Sequence, residues 1–249
     1  MAHKQKLRSF HLFAGAGGGI LADLILGHEV IGACEIEKYP RDVLLARQRD
    51  GILPAFPIWD NVCTLDGNPW RGTVDILCGG FPCQDISAAG KGAGITGERS
   101  GLWKEYARLI GEMRPRFVFA ENSPLLRTRG LGAVLEDLAA LGYDARWGIM
   151  GAWHVGAPHK RDRLWVFAYR PGDRLEGRHN RDKKGQGQAE IRSMERLCEN
   201  QVWDDLPAPD SFGIANGVAH RVDRLKAIGN GQVSQCAAMA FSILSGGLI

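Results

Sequence analysis

The stretch Ala14-Gly15-Ala16-Gly17-Gly18-Gly19 constrains this chain more than any other. It follows residues 8–13, Arg-Ser-Phe-His-Leu-Phe, which read as a short strand. It precedes residues 20–26, whose apolar side chains suit a helix. Glycines crowd where a backbone turns tightly and passes close to something else, because a Cβ would block both. A strand, a glycine-rich turn and a helix in that order open a unit in which a parallel sheet carries helices and a ligand sits at the first turn. The pattern alone does not name the ligand, and a tight turn without one is compatible with it.

The next elements extend that unit. Residues 29–34 read as a second strand, with Glu35 and Glu37 at its end. An acid about twenty residues past the glycines is placed to accept hydrogen bonds from ribose hydroxyls. Helix capping is the other role open to either glutamate. Residues 38–49 read as a helix, and Trp59-Asp60-Asn61-Val62 ends a third short element, a candidate to touch an adenine ring.

Residues 74–78 read as a buried strand running into Gly79-Gly80-Phe81-Pro82-Cys83-Gln84-Asp85-Ile86-Ser87. Cys83 therefore stands where a strand ends and a glycine-rich, mobile stretch begins, the place where open α/β sheets keep their chemistry. Pro82 stiffens the approach by fixing its own φ, and the preceding glycines permit close approach to the backbone. A cysteine here is a candidate nucleophile through its thiolate; an inert core thiol is the plain alternative. Further on, residues 102–113 carry Trp103, Tyr106, Ile110 and Met113 at helical spacing. Residues 116–120 form a strand with Glu121-Asn122-Ser123 at its end, residues 131–141 a helix, and residues 143–149 and 163–168 two more strands.

Composition sets the outer limits. A chain of 249 residues with 45% hydrophobic content suits one large domain with at most a small appendage. No apolar run approaches membrane-spanning length and no signal pattern opens the chain, so a cytoplasmic protein without a membrane partner is expected. Its six cysteines contain no CxxC pair, so no metal site is expected, and a cytosolic setting disfavours disulfides. A net charge of +3 is compatible with nucleic-acid binding without indicating it. The character changes after Tyr169, where mixed basic and acidic residues replace the apolar pattern. A solvated or disordered insertion and a small loop-rich lobe are both open there. Residues 221–249 contain Gly229-Asn230-Gly231-Gln232-Val233 and then a helix whose Val233, Ala237, Met239, Ala240 and Ile243 need a sheet face to cover.

Together these motifs resemble the bacterial and phage DNA cytosine-C5 methyltransferase family. Phe13-Ala14-Gly15-Ala16-Gly17-Gly18 resembles its first motif, and Glu35 takes the ribose-binding position. Pro82-Cys83-Gln84 matches the nucleophile motif and Glu121-Asn122 the second catalytic motif. Arg161-Asp162-Arg163 matches an Arg-x-Arg motif, and Gly229-Asn230 with Val233 the C-terminal one. The likeness spans residues 8–170 and 221–245. The chain departs from the family at Ile36, where an aromatic is usual, at Ser123 and at His159, and its segment between the last two motifs is short.

The resemblance implies an α/β fold, a Rossmann-like S-adenosylmethionine-dependent methyltransferase sheet with helices on both faces, plus a small loop-rich recognition lobe. Residues 1–169 would form the catalytic and cofactor-binding domain, 170–220 a reduced target-recognition region, and 221–249 a segment returning to the catalytic domain. It implies transfer of a methyl group to C5 of a flipped cytosine through a covalent Cys83 adduct. Glu121, Arg161 and Arg163 would assist, with Glu121 holding a proton at the base because burial raises its pKa. Phe13, Ala14, Gly15, Ala16, Gly17, Gly18, Glu35, Ile36, Asp60, Asn61, Gly80, Pro82, Leu102, Asn230 and Gly231 would hold the cofactor, with Asn230 beside the first glycine turn. Gln84, Ser87, Lys91, Arg99, Arg178, Arg181, Lys183 and Lys184 would contact double-stranded DNA. A monomer is implied, partnered by a cognate restriction endonuclease where the enzyme serves a restriction–modification system. A tRNA cytosine-C5 methyltransferase and a catalytically silent DNA-binding module are the alternatives; intact Cys83, Glu121 and Arg163 speak against the latter. A flavin or nicotinamide oxidoreductase would explain the glycines and leave Pro-Cys-Gln and Glu-Asn without a purpose.

Overall fold

The computed structural model describes residues 6–82, 101–172 and 221–246. Its strands are β1 (Arg8–Leu12), β2 (Glu29–Cys34), β3 (Ile58–Trp59), β4 (Ile76–Gly80), β5 (Phe117–Asn122), β6 (Asp144–Met150) and β7 (Arg163–Tyr169). Its α-helices are α1 (Gly18–Leu26), α2 (Lys38–Arg49), α3 (Gly101–Met113), α4 (Leu126–Arg129), α5 (Leu131–Ala140), α6 (Arg221–Asn230) and α7 (Ser234–Ser245). The strands form one seven-stranded sheet in the order β3-β2-β1-β4-β5-β7-β6. The first five are parallel, and β7 lies antiparallel between β5 and β6. This is the Rossmann-like α/β sheet that the resemblance implies.

The central strands are apolar on consecutive positions because both faces are covered. Leu77, Val118, Ala120, Leu164 and Val166 share one core with Tyr106 and Leu109 of α3 and Val134 of α5. Their neighbours Ile76, Cys78, Phe117, Phe119, Trp165 and Phe167 point the other way, into a second core with Ala22 of α1 and Ala237 and Phe241 of α7. Strand order reverses between β1 and β4, and at such a switch point the loops leaving the carboxyl ends diverge into a crevice.

Two local expectations are corrected and a third is refined. The fourth strand starts later than read and runs through both Gly79 and Gly80. These glycines serve packing inside the sheet: a Cβ on Gly79 would stand 2.6 Å from the Leu12 oxygen, and one on Gly80 would stand 2.5 Å from Glu121 Oε2. Gly229 and Asn230, read only as part of the segment before the last helix, close helix α6. Ile243, assigned to the covered face of the last helix, is 42% exposed, while Cys236 and Phe241 take the buried positions.

Candidate active site

Segments leaving β1, β2, β3, β4 and β5 meet α6 around a cavity of about 690 Å³. The first turn is folded back onto β2. The Ala14 amide donates to the Cys34 oxygen at 3.0 Å and the Gly15 amide to Glu35 Oε2 at 2.6 Å. Phe13, at φ 52°, and Gly15, at φ 54°, both take left-handed backbone there, which is costly for phenylalanine and free for glycine. Glu35 is buried, and its second oxygen accepts from the Glu37 amide at 2.8 Å. Glu37 itself points outward to Lys226 of α6, 2.7 Å away, and this pair straps the cavity rim.

One wall of the cavity carries the acid. Glu121 is the buried penultimate residue of β5, and its Oε1 lies 2.8 Å from Arg163 Nε at the start of β7. Gln232 Nε2 approaches Oε2 at 3.5 Å. Burial lifts the Glu121 carboxyl above the ordinary glutamate range, against the opposing pull of Arg163, Gln232 and Arg161. Asn122 Nδ2 donates to the Phe81 oxygen at 3.1 Å, which ties the chain leaving β4 to the end of β5. Pro82 lines the cavity, and Cys83 is the next residue in sequence. The thiols of Cys34 and Cys63 line this cavity. Cys34 is pushed up to about 12, chiefly by burial, so it stays a neutral thiol; Cys63 is exposed.

Of the residues read from sequence, Phe13, Gly15, Glu35, Ile36, Asn61, Gly80, Pro82, Leu102, Glu121, Arg163 and Asn230 line this one cavity. Asn230 and Gly15 thus face a common space from opposite ends of the chain. Ala14, Ala16, Gly17 and Gly18 build the turn without lining it, Asp60 is exposed, and Gly231 follows α6 without lining the cavity. Arg161 is turned away from the acid toward the C-terminal segment. It donates to the Gly229 oxygen at 2.7 Å and to the Gly231 oxygen, so it stands as a strut, not as a partner of Glu121. Cys83, Gln84, Ser87, Lys91, Arg99, Arg178, Arg181, Lys183 and Lys184 lie outside the described residues. The sequence reading missed the tethering role of Asn122, although it adjoins Glu121 in the motif, and gave no role to Gln232.

A further polar cluster lies behind the first turn. His11 Nε2 is 2.7 Å from Asp23 Oδ2, and His28 Nδ1 is 2.9 Å from Asp23 Oδ1, all three side chains being nearly sealed from solvent. Cys78 completes a group of ligand type with His11 and Asp23, but both Asp23 oxygens already face imidazoles at hydrogen-bond distance.

The family model for C-5 cytosine-specific DNA methylases matches residues 7–227. The chain belongs to that family. Among curated relatives, the type II methyltransferase M.Eco47II of Escherichia coli is 34% identical over 170 residues, covering 64% of this chain and 38% of its own length. The type II methyltransferase M.HhaI of Haemophilus parahaemolyticus is 33% identical over 169 residues, covering 66% of this chain and 49% of its own. This methylase chain therefore spans half or less of these relatives' length. The solved methyltransferase EhMeth of Entamoeba histolytica shares the fold, with a TM-score of 0.56 at 16% identity over 72% of this chain and 58% of its own.

Proposed function

We propose that this chain transfers a methyl group from S-adenosylmethionine to C5 of cytosine in double-stranded DNA. The observation that carries the proposal is the pair of buried Glu121 and half-buried Arg163 in the wall of a cavity also lined by Pro82, the residue before Cys83. The donor set fits the cofactor. Glu35 is a buried carboxylate on the cavity wall, two of whose acceptor sites are taken by backbone amides, which leaves capacity for a ribose diol. Exposed Ile36 offers an apolar surface beside it for a purine ring, and Phe13, Leu102 and Asn230 complete the walls. When bound, the cofactor supplies a methyl group activated on a sulfonium.

The residues of the chain activate the base. The Cys83 thiolate adds to C6, and the C5–C6 π electrons move to give an enamine whose C5 is nucleophilic. Glu121, whose hold on a proton is strengthened by burial, gives a proton to N3 as that nitrogen gains electron density. Arg163 orients Glu121 and donates to O2. Once C5 carries the methyl group, a base takes the C5 proton. The released electron pair re-forms the C5–C6 double bond and expels the thiolate, and Glu121 recovers its proton. A cytosine within a duplex must be flipped out to reach this wall.

In this reading residues 170–220 read the target, the chain works as a monomer, and a cognate endonuclease is its partner in a restriction–modification system. The type II names of the relatives support that setting. The test is transfer of labelled methyl groups to duplex DNA and to tRNA side by side. Incorporation into cytosine C5 of duplex DNA is expected; incorporation into tRNA alone would replace the substrate, and none into either would sink the reading.

A further inference from the structure

Gln232 has no role in the chemistry above, yet it occupies the tightest space beside the acid. It sits in the short link between α6 and α7. Its backbone oxygen is so close to Gly18 that any Cβ there would collide with it. Its side-chain oxygen is 2.7 Å from where a Cβ on Gly19 would stand, and its Nε2 is 3.3 Å from where one on Gly80 would stand. Three glycines on two strand–turn segments are thus needed to admit one glutamine. Its amide end meets Glu121 Oε2 at 3.5 Å, while Arg163 holds Oε1 from the other side. The carboxamide has one favourable orientation: a carboxylate only accepts, so Nε2 must face Glu121 and the oxygen must face Gly19 and His11. On that far side Gln232, His11, Asp23 and Cys78 enclose a cavity of about 10 Å³, enough for one water with polar partners.

We propose that Gln232 is a positioning residue: its carboxamide, wedged between Gly19 and Gly80 while its backbone packs on Gly18, holds the second oxygen of Glu121 and so fixes the plane in which that acid meets the base. The inference rests on the methyltransferase reading for its consequence, and on the geometry alone for the contact. Two donors from different segments restrain both oxygens, so rotation about the last Glu121 torsion costs one contact or the other. Arg163 is the cation in contact with Glu121; Arg161, bonded to the Gly229 and Gly231 oxygens, acts on it only through its charge, and Cys236 of α7 is the other titratable group near it. None of these changes when position 232 is substituted.

The experiment follows the Glu121 carboxyl by ¹³C NMR titration in wild type, Gln232→Met and Gln232→Glu, with Glu121→Gln to assign the signal, beside pH profiles of kcat and calorimetry of cofactor binding. Gln232→Met keeps the length and removes the donor. It should raise the Glu121 titration by about one unit, lower kcat about tenfold and leave cofactor affinity within about twofold. Gln232→Glu sets two carboxyls together and should raise the Glu121 titration further. A Glu121 titration unmoved in both variants overturns the proposal, as does a fall in kcat matched by lost cofactor affinity without a shift, which would mark Gln232 as packing only. Should Gln232→Met fail to fold, Gln232→Glu decides on the same titration. The NMR measurement needs no turnover, so a wild type inactive on nucleic acid would sink the enzymatic reading and still leave this contact decided.

Discussion

Arg163 Nε lies 2.8 Å from Glu121 Oε1, across the junction at which β7 turns antiparallel onto β5. The antiparallel strand brings to the acid a cation that a parallel neighbour would carry to the far end of the sheet. Removing it by Arg163→Ala should lower the single-turnover methylation rate by about 10²–10³, the usual loss of a preorganised donor at developing charge. Arg163→Lys keeps the charge without the planar fork and should recover only part of the rate. The rate should also fall as pH rises through the Glu121 titration, at a higher pH than an ordinary glutamate gives, because burial raises that group and the protonated form does the work. Wild-type turnover in Arg163→Ala would remove the pair from the mechanism.

Asp23 tests the buried cluster as a structural device. Burial alone would raise its carboxyl, but His11 and His28 outweigh that and hold it far below the usual carboxylate range. A depressed acid contributes stability above its unfolded value, near pH 4, and loses that contribution as pH falls toward the folded value. Asp23→Asn should therefore destabilise the fold by about 1–3 kcal/mol at neutral pH, with the difference shrinking below about pH 4. Urea melts across that range measure it; a difference constant with pH would contradict the charge argument.

Glu35 and Glu37 separate by position. Glu35→Gln should weaken cofactor binding by about 1.5–3 kcal/mol, since a charged acceptor on the cavity wall is lost. Glu37→Gln breaks only an exposed pair with Lys226 and should change affinity little. Calorimetry with S-adenosylhomocysteine distinguishes them, and the reverse order would make Glu37 the ribose acceptor.

Arg161 is expected to act through the chain it holds. Arg161→Ala frees the Gly229 and Gly231 oxygens, so amides of α6 and α7 should exchange faster and cofactor affinity should fall about tenfold while the chemical step is kept. A loss confined to the chemical step would return Arg161 to the catalytic group.

The legibility of this protein followed its local signals. The order of β1, the glycine turn, α1 and β2 was readable because short runs of buried residues and glycine demand leave local marks in the sequence. Glu35 and Glu121 were readable because acids ending apolar strands are conspicuous. The position of the strand edge at Gly79 and Gly80 was not, since a glycine admitted by Leu12 and Glu121 looks the same as one in a turn. Gln232 and Arg161 depend on contacts between distant segments, which spacing along the chain does not encode. His11 was a visible anomaly in an apolar strand, and its partners Asp23 and His28 emerge only when α1 folds back.

The central claim is covalent attack by Cys83 on cytosine C6 in duplex DNA. A duplex with 5-fluorocytosine at a methylated site cannot release the C5 substituent as a proton, so the adduct should persist. Incubation with S-adenosylmethionine should yield a denaturation-resistant complex. Peptide mass spectrometry should place the nucleotide on Cys83, and Cys83→Ser should give none while still binding the cofactor. A trapped peptide elsewhere, or undiminished methylation by Cys83→Ser, would contradict the account.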